Sequence, residues 1–380
     1  MPAERADRPV RVTFVLHKFS CGGSDRVAAY LARGFTDLGM DVDMVVFSKG
    51  GEVEDLLVEL AGEDIPVTYL GRASRWRSLD LVRGLLPLSR HFRRRMPDAI
   101  VSTANNTALA TIISAILAGL RGTRIALKTT NPIASSRHRG IARTLRLWSY
   151  RVIFRRADAV WTLSADESAE MRAEFPAFTG LFHDVANPYV TERMLAPPEP
   201  ADETSGTTVV SVARLTEQKR LDRMIAGFAH VRTPGARLII LGEGEDRDVL
   251  TRQIARLGLE QRVSLAGYVA DVAAVLHRAD LSILTSDYEG FPAALLESMA
   301  ADCPVISTDC FPAARTLLGA IDGGAIIKDV EPKALGALID RMLARPRPSG
   351  LRAIAKRYSI ANGVASHLTA LNNLLEAGTR

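Results

Sequence analysis

The sequence has few cysteines and no long apolar segment. Its three cysteines, Cys21, Cys303 and Cys310, have neither metal-ligand nor CxxC spacing, so we expect a reducing compartment and no disulfide framework. The longest apolar run, residues 107–120, is too short to span a membrane and predicts a buried helix. The first ten residues are polar, which predicts no signal peptide. These features together predict a cytoplasmic protein.

Familiar ligand-binding signatures are also missing. No G-x-x-x-x-G-K-[ST] segment is present, which excludes a P-loop, and GEGEDR at residues 242–247 does not match G-x-G-x-x-G. Asp41 and Asp43 have the form of a metal-binding Asp-x-Asp, but they stand at the start of a predicted strand. We therefore interpret them as structural. No cluster of His, Cys and Asp has metal-ligand spacing, so the sequence predicts no metal site.

Positive charge is concentrated in one part of the chain. Residues 72–156 contain 18 Lys and Arg but only two acids, Asp80 and Asp98, a net charge of +16, whereas the whole chain carries +5. Such a region suits a phosphate-rich partner, such as an anionic lipid surface, nucleic acid or a pyrophosphate-linked substrate. The alternative is a set of solvated helix faces.

Strand and helix patterns alternate along the chain in two series. VRVTFVLHKF, a glycine turn, an amphipathic helix and DVDMVVFS open the first series, and TVVSVARL opens the second after a proline-rich linker. This βαβ rhythm predicts an α/β fold with two Rossmann-like, doubly wound domains facing each other across a cleft. We place the first domain at 1–190 and the second at 191–360, with a helix at 361–380 that packs back on the first.

Two glutamates flank a turn in DYEGFPAALLESMAADCPVIST. Paired carboxyls that act across one bond lie roughly 5 to 10 Å apart. Pro292 suits the first turn of a helix and AALLESMA favours helix, so eight helical residues would separate the two positions by about 12 Å. Glu289 is thus predicted on a loop and Glu297 within a helix, each holding a different part of one long ligand. The alternative is a turn residue and a solvated helix residue.

Cations and glycines stand where a phosphate would bind in such a fold. Arg214 follows a predicted strand and Lys219 stands five residues later, beside the next helix start. Arginine can fork onto phosphate oxygens, and lysine adds a mobile point charge. Gly22 and Gly23 predict a turn that lets a ligand approach the backbone near a helix N-terminus. Ordinary helix-start residues and a plain turn are the alternatives.

In this order, the segments resemble the retaining family 4 glycosyltransferases of GT-B fold. The resemblance covers most of the chain and runs through CGGSDRVAAYLA, ANPYV, SVARLTEQKRLDRMI, LIILGEGEDRDVL, VSLAGYVAD and DYEGFPAALLESMAADCPVISTD. The last segment carries the Glu-x7-Glu signature of the family as Glu289 and Glu297, which is its most specific element.

The resemblance implies a nucleotide-sugar donor bound mainly by residues 191–360 and an acceptor bound by residues 1–190. Arg214 and Lys219 would neutralise the diphosphate and Glu289 would contact the transferred sugar, so these three form the implied catalytic set. The implied donor-binding residues are Glu297 on the ribose, Tyr268 and Val269 near the base, Gly22 and Gly23 over the diphosphate, and Gly242, Gly244, Gly290, Phe291, Pro292 and Leu295. The family implies retention, no cofactor and no metal, with the leaving phosphate accepting the acceptor proton.

The sequence departs from the family at two places. Many members have a histidine near the end of the strand that reads IALKTTNP here, where this chain has Thr129, Thr130 and Asn131. We assign Thr130, Asn131 and His138 as candidate acceptor or sugar contacts. Thr316 stands where the family often has a further glutamate after STD.

The resemblance therefore implies a hexosyl or related transferase of bacterial polysaccharide or glycolipid assembly, with a saccharide or lipid-linked acceptor. RHRGIARTLRLWSYRVIFRR mixes arginines with aromatic residues as interfacial helices do, which predicts peripheral attachment to the inner, anionic membrane face. The alternatives are another GT-B enzyme (an inverting transferase or a sugar-nucleotide epimerase) and a non-catalytic nucleic-acid-binding protein. Since no nucleic-acid module is recognisable, we expect no nucleic-acid partner. Donor sugar, base, acceptor and oligomeric state stay open.

Overall fold

A computed structural model describes residues 8–19, 23–50, 54–74, 76–133, 140–197 and 206–377. The described residues divide into two compact units. One unit comprises those of Met1–Tyr189 together with Ile360–Arg380, and the other comprises those of Val190–Ser359.

Each unit is built on one parallel sheet. The strands are β1 (Arg11–Leu16), β2 (Asp41–Val46), β3 (Val67–Tyr69), β4 (Ala99–Ser102), β5 (Arg124–Lys128), β6 (Ala159–Thr162), β7 (Phe182–Asp184), β8 (Thr208–Val212), β9 (Arg237–Leu241), β10 (Val263–Gly267), β11 (Leu281–Leu284), β12 (Val305–Thr308) and β13 (Gly324–Ile327). The first sheet has the order β3-β2-β1-β4-β5-β6-β7 and the second β10-β9-β8-β11-β12-β13. The predicted α/β class with two doubly wound domains is confirmed.

Helices connect the strands. They are α1 (Gly23–Asp37), α2 (Glu54–Ala61), α3 (Arg77–Arg95), α4 (Ala108–Ala118), α5 (Gly140–Phe154), α6 (Ala165–Glu174), α7 (Glu192–Leu195), α8 (Leu221–Phe228), α9 (Arg247–Arg256), α10 (Val272–Arg278), α11 (Ala293–Ala300), α12 (Ala314–Gly319), α13 (Pro332–Leu343), α14 (Leu351–Ala355) and α15 (Ile360–Glu376). The segment predicted as a buried helix forms α4, but Leu109, Ile116 and Leu117 are exposed. The prediction of burial is wrong for that face because helix period, not total hydrophobicity, decides which side chains meet the sheet.

The C-terminal helix α15 packs within the first unit. A Cβ atom on Gly34 of α1 would come within 2.5 Å of the Val364 side chain, and one on Gly363 would come within 2.5 Å of the Pro188 nitrogen. Glycine at these two positions therefore lets α15 approach α1 and the segment before the unit boundary closely.

Strand order places two crevices. In the first sheet β1 lies between β2 and β4, and in the second β8 lies between β9 and β11. At such a point the chain reverses the direction in which it adds strands to the sheet. The loops after β1 and β4, and likewise those after β8 and β11, therefore diverge at the carboxyl edge. The candidate site is built on the carboxyl edge at β8 and β11.

Candidate active site

The loops that follow β8 and β11 are joined by hydrogen bonds. The Asp287 amide donates to the Gln218 carbonyl at 2.9 Å, and Nε2 of Gln218 donates to the Tyr288 carbonyl at 2.8 Å. The Thr285 hydroxyl donates to the carbonyl of Lys219 at 3.1 Å. These bonds bring two segments that are distant in sequence to one place at the carboxyl edge of the second sheet.

An ion pair connects the two loops. Lys219 ends a 3-10 turn, and its Nζ atom lies 2.5 Å from Oε1 of Glu289. The same oxygen accepts a hydrogen bond from Ser286 Oγ at 2.7 Å. Glu289 is 8% exposed, so Lys219 and Ser286 replace the water that would otherwise stabilise its negative charge. Two residues predicted for the site are therefore in direct contact.

Cys310 lies beside Glu289. Its carbonyl accepts a hydrogen bond from the Glu289 amide at 2.6 Å. Burial raises the pKa of the Cys310 thiol to about 11, and the charge of Glu289 adds to the rise. The thiol is thus protonated at neutral pH and lacks the character of a nucleophile.

Arg214 is exposed in the loop after β8, and glycines in the next loop fix its backbone. The Leu215 amide donates to the Glu243 carbonyl at 2.9 Å. A Cβ atom on Gly242 would lie 2.1 Å from the Ala213 carbonyl oxygen, and one on Gly244 would lie 2.2 Å from that of Leu215. The structure therefore requires glycine at both positions, because the backbone on either side of Arg214 packs directly against them.

Helix α11 follows this site. It begins at Ala293 with Pro292 as the N-cap residue, which is just before the first turn that the sequence predicts. The Phe291 ring packs on the rings of Phe311 and Tyr358, with centroids 5.4 and 5.1 Å away. Gly290, Phe291 and Leu295 are buried, and the Leu295 amide donates to the Pro292 carbonyl at 3.2 Å.

Glu297 lies within α11 and is 3% exposed, and Glu289 lies on the loop before it. The alternative interpretation of Glu297 as a solvated helix residue is therefore wrong, whereas Glu289 does lie outside the helix, in the loop before it, although it is buried there. Buried carboxylates are costly to keep without partners, which makes the burial of both glutamates informative.

Tyr268 and Val269 follow β10 on the same edge of the second sheet. Tyr268 is 67% exposed, whereas Val269 packs against a small apolar cluster that includes Val210 and Leu276. Asp271 then caps α10 by accepting a hydrogen bond from the Ala274 amide at 3.1 Å. The exposed ring of Tyr268 is thus available at the edge where Arg214 also lies.

In the first unit, Thr130 and Asn131 lie in the loop after β5. The Asn105 side chain, in the loop after β4, accepts a hydrogen bond from the Thr130 amide at 3.0 Å and donates to the Asn131 carbonyl at 2.7 Å. Gly23 is the first residue of α1, while Gly22 and His138 lie outside the described residues. Thr316 lies in α12.

Two polar residues at this edge went unnoticed in the sequence. Asn105 ties the loops after β4 and β5, and His17 follows β1 directly, with a ring nitrogen 3.8 Å from the Asp80 carboxylate. Burial, with Arg77 adding to the effect, lowers the pKa of His17 to about 4, so its imidazole is neutral. The only sequence feature that points to Asn105 and His17 is the position of a polar residue shortly after an apolar strand.

Asp41 and Asp43 lie at the opposite, amino edge of the first sheet. Asp41 pairs with Arg95 at 2.5 Å, and Asp43 pairs with His91 at 2.7 Å. Their interpretation as structural residues is confirmed. Across the described ranges, no group of three His, Cys, Asp or Glu side chains is placed to hold a metal ion.

Two family models match the chain, one in each half. Residues 22–179 match the model described as "Glycosyl transferase 4-like domain", and residues 196–360 match "Glycosyl transferases group 1". Together with the two doubly wound domains, these matches show a chain of GT-B fold whose two halves each match a glycosyltransferase family model.

Individual relatives are similar over different lengths. An uncharacterized glycosyltransferase of Methanocaldococcus jannaschii is 26% identical over 248 residues, which are 62% of this chain and 60% of the relative. The lipopolysaccharide core biosynthesis glycosyltransferase LpsE of Rhizobium meliloti is 28% identical over 297 residues, 76% of each chain. The crystal structure of Anabaena HepE with UDP and glucose has a TM-score of 0.79 at 20% identity, covering 96% of this chain and 100% of that one. In the part of the chain that the structure describes, no helix is long and apolar enough to cross a membrane.

Proposed function

We propose that this protein transfers a sugar from a nucleotide-sugar donor to a saccharide or lipid-linked acceptor, with retention of anomeric configuration and without a metal ion or cofactor. The observation that carries the proposal is the Lys219–Glu289 contact at the β8–β11 crevice. It joins a cation suited to a diphosphate and a carboxylate suited to sugar hydroxyls. Arg214, exposed on the same edge, supplies a second cation.

Charge development in the reaction explains this set of residues. Cleavage of the sugar–phosphate bond leaves a nucleoside diphosphate with growing negative charge, which fixed cations and a helix N-terminus stabilise best away from water. Arg214 and Lys219 would meet that charge, and those backbone N–H groups of residues 291–296 that have no partner within the helix would face it at the start of α11. Glu289 would contact the transferred sugar.

The buried Glu297 and the exposed Tyr268 would bind the rest of the donor. Glu297 would accept hydrogen bonds from ribose hydroxyls, and Tyr268 with Val269 would lie near the base. A same-face attack in which the leaving phosphate accepts the acceptor proton needs no separate general base. HepE, a relative in fold, has been crystallised with UDP and glucose, which supports a nucleotide-sugar donor.

The donor site is tested by Arg214→Ala and Glu289→Ala. We expect each to lower turnover by at least about 10²-fold, the scale seen when one transition-state contact is lost, while the protein stays folded. Two exposed residues supply matched controls: Arg237→Ala at the amino end of β9 and Glu260→Ala after α9. Near-normal turnover of both site variants would refute the assignment, as would strict dependence on added magnesium.

A lipid-linked acceptor would place the enzyme at a membrane. LpsE acts in lipopolysaccharide core biosynthesis by its name, and we assign this chain to the same kind of polysaccharide or glycolipid assembly in bacteria. We further propose that it attaches peripherally to the inner, anionic face of the cell membrane. The attachment surface consists of α5, of α4 beside it, and of α3 on the other side of α4.

Helix α5 exposes an apolar stripe. Ile141, Leu145, Trp148 and Val152 recur at helical spacing, and Trp148 is 62% exposed. Exposed arginines follow at the C-terminal end, at Arg151, Arg155 and Arg156. An apolar stripe beside basic residues suits insertion at an anionic lipid interface, where apolar burial and charge attraction add.

Helix α3 repeats the arrangement. Trp76, Leu79, Val82 and Leu86 are exposed along it, followed by exposed Arg90, Arg93 and Arg94. α4 lies beside α3, since Arg93 donates to the Leu117 carbonyl at 2.8 Å. Most of the large apolar side chains that the described residues expose lie on these three helices.

Co-sedimentation with vesicles tests the attachment. We expect binding to anionic vesicles that weakens with added salt and little binding to neutral ones. The double variant Leu145→Glu with Trp148→Glu should reduce the binding at least about tenfold. It removes two apolar side chains that would insert into the lipid, and the anionic surface repels the two carboxylates that replace them. Val249→Glu, at an exposed position of α9, is the matched control. Equal and negligible binding to both vesicle types would end this part of the proposal.

A further inference from the structure

One fully enclosed lysine links three remote parts of the first unit. Lys128 is the last residue of β5 and is 4% exposed. Its Nζ atom contacts Oδ1 of Asn187 and lies 2.9 Å from Nε2 of His367 on α15. Asn187 stands just before the unit boundary at Tyr189, and α15 begins at the second boundary, Ile360. The amine therefore connects the segment just before the first boundary with the helix that begins at the second boundary.

Both partners of the amine are neutral acceptors. Nδ1 of His367 lies 2.8 Å from the Gly363 carbonyl, so Nδ1 carries the hydrogen and Nε2 is free to accept. The Asn187 amide nitrogen donates to the Tyr189 hydroxyl at 2.6 Å, which leaves Oδ1 facing the amine. A neutral amine has two N–H groups and an ammonium has three. The two acceptors, Asn187 and His367, therefore match the two N–H groups of the neutral amine.

The surroundings also favour the neutral form. Burial lowers the pKa of Lys128 from 10.5 to about 7, although the charge of Glu167 on α6 works in the opposite direction. Glu167 itself bonds to the Leu163 amide and the Thr129 hydroxyl, at 2.7 and 3.0 Å. Burial, and then the charge of Lys128, lower the pKa of His367 well below its usual range. The Trp161 ring, 5.5 Å from the His367 ring, adds no charge.

We propose that Lys128, Asn187 and His367 form a protonation-sensitive latch, which holds α15 on the first unit while the amine is neutral. A proton taken up inside would create a buried ammonium whose hydrogen-bond partners are both neutral and which the charge of Glu167 stabilises only in part, whereas opening the latch lets water solvate the ammonium. Proton uptake and release of α15 are therefore linked. This inference goes beyond the transferase proposal and does not depend on it. The latch also adjoins the loop that contains Thr130 and Asn131, because Thr129 follows Lys128 directly.

The sign and the pH window follow from the two states of the lysine. In the open latch the lysine regains its ordinary pKa of 10.5, and in the closed latch the pKa is about 7. Between these values only the open form binds the proton, so opening becomes up to about tenfold easier for each pH unit that the pH falls. Below about pH 7 this dependence should level off.

Hydrogen exchange on the full chain tests the latch. After correction for intrinsic exchange, protection of the α15 amides should rise up to about tenfold per pH unit between about pH 7.5 and about pH 9.5. Helix α9, in the other unit, should show no such rise. Equal slopes in both helices, or no rise in α15, would overturn the proposal, and this comparison needs only the wild-type protein.

Three variants sharpen the test. Lys128→Met should abolish the pH dependence of α15 protection, whereas Lys333→Met, at an exposed lysine of α13, should retain it. His367→Gln keeps an acceptor oxygen for the amine and should also retain the slope between about pH 7.5 and about pH 9.5. A Lys128→Met protein whose α15 follows the wild-type profile would refute the role of the lysine.

Discussion

The Nζ atom of Lys219 lies 2.5 Å from Oε1 of Glu289, although the residues follow different strands. Each group is mostly buried, so each is the main compensation for the charge of the other. The pair has two consequences. It fixes the loop after β8 against the loop after β11, and it places a cation and a carboxylate side by side where a donor would bind.

We therefore expect strong energetic coupling between these two residues. Lys219→Met alone should lower the free energy of unfolding by about 3 to 5 kcal/mol, because it leaves a buried carboxylate without its cation. Adding Glu289→Gln should recover part of the loss, with a coupling energy of about 1 to 3 kcal/mol in urea unfolding. The exposed Lys333→Met is the control. Additive effects of the two changes would show that the contact carries no such energy.

The glycine beneath the Arg214 loop gives a second prediction. Gly244→Ala should destabilise the protein by about 1 to 3 kcal/mol and lower turnover, because a Cβ atom 2.2 Å from the Leu215 carbonyl forces the loop to move. Gly319→Ala, where a Cβ atom would meet nothing within 4 Å, should change neither thermal stability nor activity appreciably. Wild-type turnover in Gly244→Ala would contradict the proposed link between this loop and the site.

A third prediction concerns the loop after β5. Removal of the Asn105 side chain by Asn105→Ala breaks the bonds to Thr130 and Asn131. If that loop contacts the acceptor, the acceptor KM should rise several-fold while the donor KM stays unchanged. Asn372→Ala, at an exposed position of α15, supplies the matched control. A rise in the donor KM instead would contradict the assignment of Thr130 and Asn131 to the acceptor site.

The buried Glu167 predicts a pH dependence at a lower window than the latch. Burial raises the pKa of its carboxyl from 4.5 to about 7, so the folded protein holds the proton more tightly than the unfolded chain does. This contribution is fully present below about pH 4.5 and is lost as the pH rises through about 7.

Glu167→Gln cannot ionise and keeps an acceptor for Thr129 and Leu163. Its unfolding free energy relative to wild type should therefore increase by roughly 1 to 3 kcal/mol between about pH 4.5 and about pH 7 and then stay constant. Chemical denaturation across that range measures the difference. A difference that does not change with pH would mean that the carboxyl titrates normally in the fold.

Most strands and helices could be predicted because their signals are local. Apolar runs such as those of β1 and β8, each followed by a turn and an amphipathic helix, make βαβ units wherever they occur. The segments FHD of β7 and GAII of β13 are too short to stand out as strands in the sequence. The exposed face of α4 was missed for a related reason: a uniformly apolar helix does not reveal which side meets the sheet.

The amino-acid sequence by itself determined the order of most strands and helices and the polar residues that end each strand. Only the tertiary structure decided which of those residues meet. Lys219 and Glu289 touch because β8 and β11 are neighbours in the sheet, and Lys128 reaches His367 because α15 returns to the first unit. Adjacency of strands and docking of a distant helix follow from how apolar faces are buried together, which depends on the whole chain and on no local pattern.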